Sequence, residues 1–550
     1  MLYPRSVSLF ALAAATCAAQ TPVILISVDT LRADRIGPRT PGFNLYTKGG
    51  TVFSAAESQI PLTLPSHTTL FTSTYPFENG VEENATHVPA GLTTLAEVLR
   101  GHGYRTGAFI GSIFLERELG LDRGFETYDS PFSFEAFSKL SGGMVFAGGP
   151  HNPYSVRERR PGALVLRAAD QWLTPHKGQN VFAFVHLFDM HQPYTEPSYD
   201  AQLTSVDKLL AGFANTLKRD GWWDKALVVI VSDHGEGLGD HGESDHGYFA
   251  YESTLHVPFI VHWPAGKARL GAVVEKPVGL IDFAPTVLDF LGIPVPPAFR
   301  GQSLLRAGWT PPVSESTYGR DCFGWAPLRS IRSDGWKYIE APRPELFDLT
   351  KDPHEMRNLF AAEPSVAGRL RQQLQSAMAG AGAAAPTQSG DPGREREALQ
   401  SLGYLAPGPH SASGARRADP KDKLPELLRY EDALTLMEAG RHGEAVQKFR
   451  SILANDSGNL LARRDLGIAL IELHRYPEAL SELQKVAASS VEDYVTRYEM
   501  GIAQESLGHL PEAKSQFEVA CRLAPHADQC AEALERVSRR ISGAGPKKTL

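Results

Sequence analysis

The stretch Ala226–Gly235, ALVVIVSDHG, indicates the fold class of this chain. Its first six residues are apolar, and a polar Ser-Asp-His-Gly turn follows at once. Short apolar runs without polar alternation are typical of strands that are buried on both faces of a parallel sheet. In such a sheet the functional residues lie beyond the carboxyl ends of the strands. Asp233 and His234 occupy that place here.

Three more runs repeat this pattern between Pro22 and about Pro264. They are VILISVD at residues 23–29, RTGAFIGS at 105–112 and NVFAFVHLFD at 180–189. Helix-like segments lie between the strands, for example at 91–104 and 204–221. The alternation predicts an α/β fold, a mostly parallel sheet that is sandwiched by helices.

A shorter unit closes this domain, which we predict to span residues 20–377. Residues 276–293 are predicted to be helical, and RSIRSDGWKYIE (329–340) and PELFDLTKDPHEMRNL (344–359) predict a small antiparallel subdomain. From 378 to 423 the composition shifts to Ala, Gly, Pro and Ser, which predicts a linker with one short helical interruption, EREALQSLGYL.

A repeat with a step of 34 residues occupies the last part of the chain, about 424–540. Two sets of positions keep this step: Ala445, Ala479 and Ala513, and Phe449, Leu483 and Phe517. A helix-turn-helix period of this length, with a small Ala where two helices touch, is the tetratricopeptide (TPR) signature. Three such repeats predict an all-α solenoid that binds a peptide or packs against its own N-terminal domain.

The N-terminal sequence MLYPRSVSLFALAAATCAAQTP is typical of a secretory signal peptide. One Arg precedes an apolar run that is too short to span a membrane. We therefore predict a signal peptide at residues 1–19 and a secreted or periplasmic location. No later apolar run predicts a transmembrane span. The net charge of -8 and the absence of a basic stripe give no expectation of nucleic-acid binding.

Two acidic strand ends suggest the chemistry. Asp29 ends the first strand, and Asp233 and His234 end a later one. A lone Asp at a strand end is most often a helix cap, but neighbouring parallel strands can bring two such ends to one point. Carboxylates and an imidazole gathered there would need a cation. Their donor atoms suit a divalent metal, with zinc, manganese, calcium and magnesium all open.

The segment IPLTLPSHTTL at residues 60–70 fits such a site. A loop that caps a helix is its simplest interpretation. Pro65 suits the first turn of a helix, which places Thr63 just before the helix, where free backbone amides favour an anion. A hydroxyl at a divalent cation is far more acidic than in water. Thr63 is therefore predicted to join Asp29, Asp233 and His234 at the metal and to act as nucleophile.

Seven segments, in this order, resemble the sulfatase branch of the alkaline phosphatase superfamily. They are SVDTLRAD, TLPSH…TLFTSTYP, NGV, HLFDMHQPY, SDHGEGLGDHGE, YESTLHVPFIV and ELFDLTKDPHEMRNL, within about 22–375. The resemblance implies the same metal ligands and the same nucleophile at residue 63. It also implies that His191 and His246 contact the anion or the leaving group.

The segment Thr63–His67 departs from the sulfatase pattern. Sulfatases carry Cys or Ser followed by x-Pro-x-Arg, and the first residue is oxidised to formylglycine. Threonine cannot form that aldehyde, and His67 replaces the Arg. A sulfatase segment with Gly-Lys-Trp-His is missing, and Thr30 stands where a second aspartate is expected. Thr-x-Pro-x-His instead resembles the nucleotide pyrophosphatase/phosphodiesterases, which form a phosphothreonine.

Those relatives use two zinc ions, and the ligands of a second metal are not evident here. The nearby candidates are Asp189, His191, His241 and His246. We expect one divalent metal ion and leave a second open.

The sequence thus predicts a secreted or periplasmic metal-dependent hydrolase of phosphate esters, preferably diesters, with a phosphothreonine intermediate. Two alternatives stay open. One is a sulfuric ester hydrolase that works without formylglycine, and the other is a non-catalytic TPR scaffold with a degenerate sulfatase domain. The predicted partners are an anionic phosphate- or sulfate-ester substrate and a protein or peptide on the repeats.

Overall fold

The computed structural model describes most of the chain. The described residues are 21–84, 86–132, 159–308, 310–379, 417–489, 494–523 and 528–543. The predicted signal peptide and most of the predicted linker, with its helical interruption, lie outside them. Within the described ranges, no helix combines the length and the apolar character needed to cross a bilayer.

An eight-stranded sheet with the order β5-β4-β6-β1-β7-β8-β2-β9 forms the centre of the N-terminal domain. Its strands are β1 (Val23–Val28), β2 (Thr51–Phe53), β4 (Arg105–Phe109), β5 (Thr127–Asp129), β6 (Val181–Leu187), β7 (Leu227–Val231), β8 (Phe259–His262) and β9 (Val273–Val274). Strand β1 pairs in parallel with β6 and with β7. Strand β8 runs antiparallel to both of its neighbours. The prediction of a mostly parallel sheet is confirmed.

Helices cover both faces of this sheet, as predicted. They are α1 (Pro41–Thr47), α2 (Thr63–Thr72), α3 (Pro76–Asn79), α4 (Leu95–Gly101), α5 (Gly162–Leu173), α6 (Tyr199–Arg219), α7 (Glu252–Leu255) and α8 (Phe283–Leu291). Successive side chains of β1 alternate between two cores, with Val23 and Leu25 in one and Ile24 and Ile26 in the other. Burial on both sides explains why the strand is apolar throughout.

The predicted helix at 276–293 is shorter than expected. The short strands β3 (Ala56–Glu57) and β10 (Val278–Gly279) pair in parallel, and a 3-10 turn at Leu280–Asp282 follows before α8 begins. The Asp282 carboxylate accepts a hydrogen bond from the Gly279 amide at 3.0 Å. This capping contact fixes the turn, so the helix starts only at Phe283.

The small antiparallel subdomain is present, with four strands in the order β11-β12-β13-β14. They are β11 (Val313–Ser316), β12 (Leu328–Ser333), β13 (Trp336–Glu340) and β14 (Glu345–Asp348); α9 (Tyr318–Phe323) lies between the first two strands, and α10 (Pro364–Met378) follows the last. Leu370 and Leu374 of α10 pack on Ile331 and Tyr338 of the sheet.

A buried charge network joins this subdomain to the main domain. The Nζ atom of the fully buried Lys337 lies 2.8 Å from Glu252 Oε1, 3.5 Å from Glu57 Oε1 and 3.7 Å from Glu355 Oε1. Arg332 donates to Glu252 Oε2 at 2.7 Å. We call these five side chains the Lys337 network. It sets two cations against three carboxylates.

The C-terminal part is an all-α repeat array, as predicted. Its helices are α11 (Pro420–Glu438), α12 (His442–Asn455), α13 (Leu460–Glu472), α14 (Tyr476–Ala487), α15 (Tyr494–Ser506), α16 (Leu510–Leu523) and α17 (Asp528–Ser542). All six side chains in the 34-residue register are fully buried. At Gly467, a Cβ atom would lie 2.6 Å from Leu483 Cγ, so the close approach of two helices requires glycine there.

The repeats pack against their own N-terminal domain. The ring of Phe323 meets that of Tyr430 edge-on at 5.8 Å, and Cys322 belongs to the apolar core of the repeats. On the same side, Ser244 donates a hydrogen bond to Glu431 Oε2 at 2.9 Å. This packing is one of the two arrangements that the sequence predicts.

Candidate active site

The sheet topology brings Asp29 and Asp233 together. Strands β1 and β7 are parallel neighbours with Ser27 opposite Val231, so each aspartate lies two residues beyond the paired level. Both aspartates and His234 have no solvent exposure. One ligand atom from each of the three side chains lies within 4.8 Å of the others.

Three atoms of this cluster lack a hydrogen-bond partner among the described residues: Asp29 Oδ1, Asp233 Oδ2 and His234 Nε2. Buried polar atoms normally have partners, so three buried acceptors without one in the same place form a candidate cation site. Asp233 Oδ1 accepts from the amides of His234 at 2.9 Å and Thr30 at 3.3 Å, which fixes its carboxylate. Two carboxylates and an imidazole fit a divalent metal.

Burial shifts the pKa values of this cluster toward the neutral forms. It raises the pKa of Asp29 to about 6, and burial together with Asp29 raises the pKa of Asp233 well above its usual value. Burial lowers the pKa of His234 to about 4. A bound cation would favour the ionised carboxylates and the neutral imidazole.

Thr63 lies beside these ligands. Its Oγ1 donates a hydrogen bond to Asp29 Oδ2 at 3.3 Å. The residue is the first of helix α2, one position inside the helix rather than just before it. Asn84 Oδ1 accepts from the Leu64 amide at 2.9 Å, so one of the amides expected to face an anion has a protein partner. Ser66 ties the same turn to Asp233 through a 2.7 Å bond to its carbonyl.

His67, at the position of the sulfatase arginine, holds the backbone of this turn. Its Nδ1 lies 2.8 Å from the Thr63 carbonyl, and its Nε2 lies 2.9 Å from Ser27 Oγ. A ring that donates from Nδ1 and accepts at Nε2 satisfies both contacts. The fully buried imidazole thereby links the first turn of α2 to strand β1.

His191 and His246 lie beside the cluster, and their contact with an anion or a leaving group stays a prediction. Their ring centroids are 5.3 Å apart, and the His246 ring lies 4.3 Å from that of His234. His246 Nδ1 contacts Asp245 Oδ1 at 2.8 Å and Glu236 Oε1 at 3.1 Å. Burial opposes the charged form of His246, but these two carboxylates raise its pKa well above the usual value.

The other two candidates for a second metal lie apart from this cluster. Asp189 Oδ1 accepts from the Gly162 amide at 3.1 Å, at the start of α5. The His241 ring stacks on Tyr251 at 3.7 Å, and its Nε2 lies 3.1 Å from the His354 carbonyl. A second acidic group near the cluster consists instead of Glu236, Asp245 and His246.

Thr30, which replaces the expected second aspartate, has a left-handed backbone with φ of 53°. Its amide donates to Asp233, and its carbonyl accepts from the Tyr199 hydroxyl at 2.8 Å. A β-branched residue in this conformation is strained. The contacts on both sides of the residue hold the turn that follows Asp29.

The sequence patterns do not predict three residues near the cluster, His186, Glu236 and Asp245. His186 lies inside β6 on the face that carries Phe182 and Phe184, and Phe188 follows the strand, so the alternate residues of VFAFVHLF form an apolar row with one polar member. No local pattern marks Glu236 and Asp245, because their contact with His246 forms only when the loop folds back.

Family models match three parts of the chain. A sulfatase model matches residues 22–293, a model of the N-sulphoglucosamine sulphohydrolase C-terminal region matches 239–380, and a tetratricopeptide model matches 436–504. Residues 22–293 are therefore similar to sulfatase domains. Both the sulfatase resemblance and the C-terminal TPR repeats are confirmed.

Curated relatives that match part of the chain include arylsulfatase K and a bacterial enzyme. Arylsulfatase K of Bos taurus is 33% identical over 195 residues, 32% of this chain and 35% of the relative. Arylsulfatase K of Homo sapiens is 24% identical over 62% of this chain and 77% of the relative. The multifunctional alkaline phosphatase superfamily protein PehA of Trinickia caryophylli is 30% identical, over 33% and 39%. The chain spans about a third of the length of the first relatives it matches.

Solved structures share the fold of the N-terminal domain. The phosphonate monoester hydrolase of Agrobacterium radiobacter superposes with a TM-score of 0.53 at 20% identity, over 66% of this chain and 96% of that one. A 2-O GAG sulfatase superposes with a TM-score of 0.52 at 17% identity, over 69% of this chain and 96% of that one. At these identities the likeness establishes the fold alone.

Proposed function

We propose that this chain is a metal-dependent hydrolase that cleaves phosphate esters, preferably diesters, with Thr63 as the covalent nucleophile. One observation carries the proposal. The Thr63 hydroxyl donates a hydrogen bond to Asp29 at 3.3 Å, and beside it lie three buried atoms that could ligate a metal and have no hydrogen-bond partner among the described residues. The sequence signal at residues 1–19 supports a secreted or periplasmic location.

Asp29, Asp233 and His234 would hold one divalent cation, with the Thr63 hydroxyl facing it. Such a cation lowers the pKa of a neighbouring hydroxyl and neutralises charge on a phosphoryl oxygen. The mixed oxygen and nitrogen donors leave zinc, manganese, calcium and magnesium as candidates. Glu236, Asp245 and His246 form a second group that could hold a cation, so a second metal ion stays open.

The residues support a two-step transfer. Thr63 loses its proton toward the Asp29 carboxylate that already accepts its hydrogen bond, and the oxygen attacks phosphorus. The P–O bond to one alcohol breaks, and that alcohol takes a proton from His246 or His191. Water then gives a proton to that histidine and attacks phosphorus. The P–O bond to Thr63 breaks, and Thr63 regains its proton from Asp29.

His246 suits the protonation of the leaving alcohol. Asp245 and Glu236 both contact its Nδ1 and raise its pKa, so the ring is held in one orientation and the proton at Nε2 is the one left for the alcohol. This arrangement parallels a base that is oriented by a third group.

Hydrolysis of a sulfate ester is the second candidate, because the curated relatives include arylsulfatases and a ulvan-active sulfatase. A sulfated threonine lacks the geminal hydroxyl through which formylglycine expels sulfate. Phosphorus, in contrast, accepts attack by water on the phosphothreonine itself. The identity of residue 63 therefore favours phosphate over sulfate.

A non-catalytic scaffold is the third candidate, since TPR repeats commonly bind proteins. The complete set of Asp29, Thr63, Asp233 and His234 argues against a degenerate site. A protein or peptide on the repeats remains compatible with an active enzyme.

The test compares the purified protein on aryl phosphate monoester, phosphodiester and sulfate substrates, with and without a chelator. We expect the diester to be cleaved fastest, and chelation and Thr63→Ala each to abolish cleavage. Thr69→Ala is the matched control, because Thr69 is a buried threonine of the same helix. Faster sulfate cleavage would refute the threonine argument, and inactivity with every divalent metal would favour the scaffold.

A further inference from the structure

His186 is a buried polar side chain that neither the metal cluster nor the nucleophile uses. It lies in β6 opposite Ser27 of β1, two residues before the level of Asp29. Its side chain has no solvent exposure, and neither ring nitrogen has a hydrogen-bond partner among the described residues. Burying two unpartnered ring nitrogens disfavours the folded state.

An apolar residue would avoid that cost at this position. Phe182 and Phe184 occupy the same face of β6, and Phe188, directly after the strand, belongs to the same apolar core. The His186 ring lies 6.2 Å from the rings of both Phe184 and Phe188. A phenylalanine at 186 would continue this row, so packing alone does not explain the histidine.

The nearest functional group to His186 is the first metal ligand. His186 Nε2 lies 3.5 Å from Asp29 Oδ2, the oxygen that also accepts from Thr63. The neighbouring His67 ring meets His186 edge-on at 5.0 Å. His67 is engaged elsewhere, at the Thr63 carbonyl and Ser27, so it cannot take over a contact with Asp29.

We propose that His186 is a positioning residue whose Nε2–H holds the Asp29 carboxylate in the orientation that binds the cation. The inference rests on the cation at Asp29 in the proposed function. A small contraction from 3.5 Å would make the hydrogen bond, and neither ring nitrogen has another hydrogen-bond partner among the described residues. His186 thereby acts on the metal and on Thr63 through one shared carboxylate.

The experiment measures the affinity of the full-length protein for zinc and for manganese, by competition with a chromophoric chelator. We expect His186→Phe to weaken binding about 10- to 100-fold, as for other groups that orient metal ligands. His186→Gln, whose amide N–H can replace Nε2–H, should restore affinity to within about threefold of the wild type. His262→Phe is the matched control, because His262 is buried and stacks on Trp223 in another part of the domain.

The melting temperature without metal separates positioning from folding. His186→Phe should melt no lower than the wild type, because the apolar ring removes the unpartnered nitrogens. If this variant does not fold, His186→Leu replaces it in the same comparison.

Two results would overturn the inference. One is wild-type metal affinity in His186→Phe, and the other is a glutamine variant as weak as the phenylalanine variant. Metal binding is read without substrate, so a wild type that binds metal but cleaves no phosphate refutes only the proposed function. A wild type that binds no divalent metal refutes both.

Discussion

The active-site cluster and the Lys337 network are both buried groups of charge, but they are balanced differently. In the network, the Lys337 ammonium lies within 3.7 Å of three carboxylates, and Arg332 adds a second cation. In the active site, Asp29 and Asp233 face histidines at 3.5–3.7 Å. Burial lowers the pKa values of these histidines, so they contribute little positive charge near neutral pH.

This difference separates a structural cluster from a binding site. The network carboxylates have a lysine and an arginine of the protein beside them and join two parts of the fold, although burial still raises the pKa of Glu57 to about 7 and that of Glu355 to about 8. Carboxylates that face neutral rings retain a strong preference for a cation from solution. These carboxylates therefore lower the stability of the metal-free protein, and the cation that we propose would restore it.

The largest effect is expected when the active site loses a ligand. Asp233→Asn should lower the rate of ester cleavage by at least about 10⁴-fold, roughly 5 kcal/mol, because the cation loses a carboxylate. The amide oxygen can still accept from His234 and Thr30, so the metal-free variant should melt at or above the wild-type temperature. Turnover and thermal melts in chelator check both parts. A variant that keeps its activity would contradict the assignment.

Loss of Lys337 should have the reverse pattern. Lys337→Met leaves three buried carboxylates without their central cation and should lower the free energy of unfolding by about 3–5 kcal/mol. Turnover per folded molecule should stay unchanged, because the network lies apart from the cluster. Denaturant unfolding measures the loss. Lys351→Met, at an exposed lysine paired with Asp348, is the control and should unfold like the wild type.

Addition of metal should stabilise the protein through the active site alone. A divalent cation at 100 times its dissociation constant should raise the free energy of unfolding by about 2.7 kcal/mol. The gain should persist in Lys337→Met and disappear in Asp233→Asn. Melting curves with and without chelator decide the matter, and equal gains in both variants would place the metal elsewhere.

The smallest effect concerns Glu57, a fully buried carboxylate of the Lys337 network. Burial raises its pKa to about 7, even though Lys337 opposes the shift. Because the folded protein binds this proton more tightly than the unfolded chain, protonated Glu57 contributes its full stability below pH 4.5. That contribution is lost as the pH rises through 7 and Glu57 ionises in the folded protein. Glu57→Gln should therefore exceed the wild type by about 1 kcal/mol at pH 8 and match it near pH 4.5. Unfolding curves across this range measure the difference, and a variant that is less stable at pH 8 would contradict the sign.

Sequence patterns predict the parts of the site that local chemistry marks. Asp29, Asp233 and His234 follow apolar strands, and parallel neighbours bring such ends together. The 34-residue step likewise predicts the repeats, because each repeat buries equivalent positions. Strand and helix boundaries shift by a few residues, and β8 inserts antiparallel in a way that no local pattern marks.

The remaining parts depend on contacts between distant segments. Glu252 and Lys337 are 85 positions apart, and only tertiary packing pairs them. His186 and Asp29 meet because two strands align, and Asp245 reaches His246 through a folded loop. In the sequence, such a group is visible only as a polar residue in an otherwise apolar row. The row does not show which residue it contacts.

The most direct test of the central claim is to trap the covalent intermediate. Turnover of an aryl phosphodiester is quenched in acid, and tandem mass spectrometry locates any phosphoryl group on the peptides. We predict the modification on Thr63 in the metal-loaded protein and none after chelation. Active enzyme that carries the group on another residue, or on none while Thr63→Ala still turns over, would contradict the account.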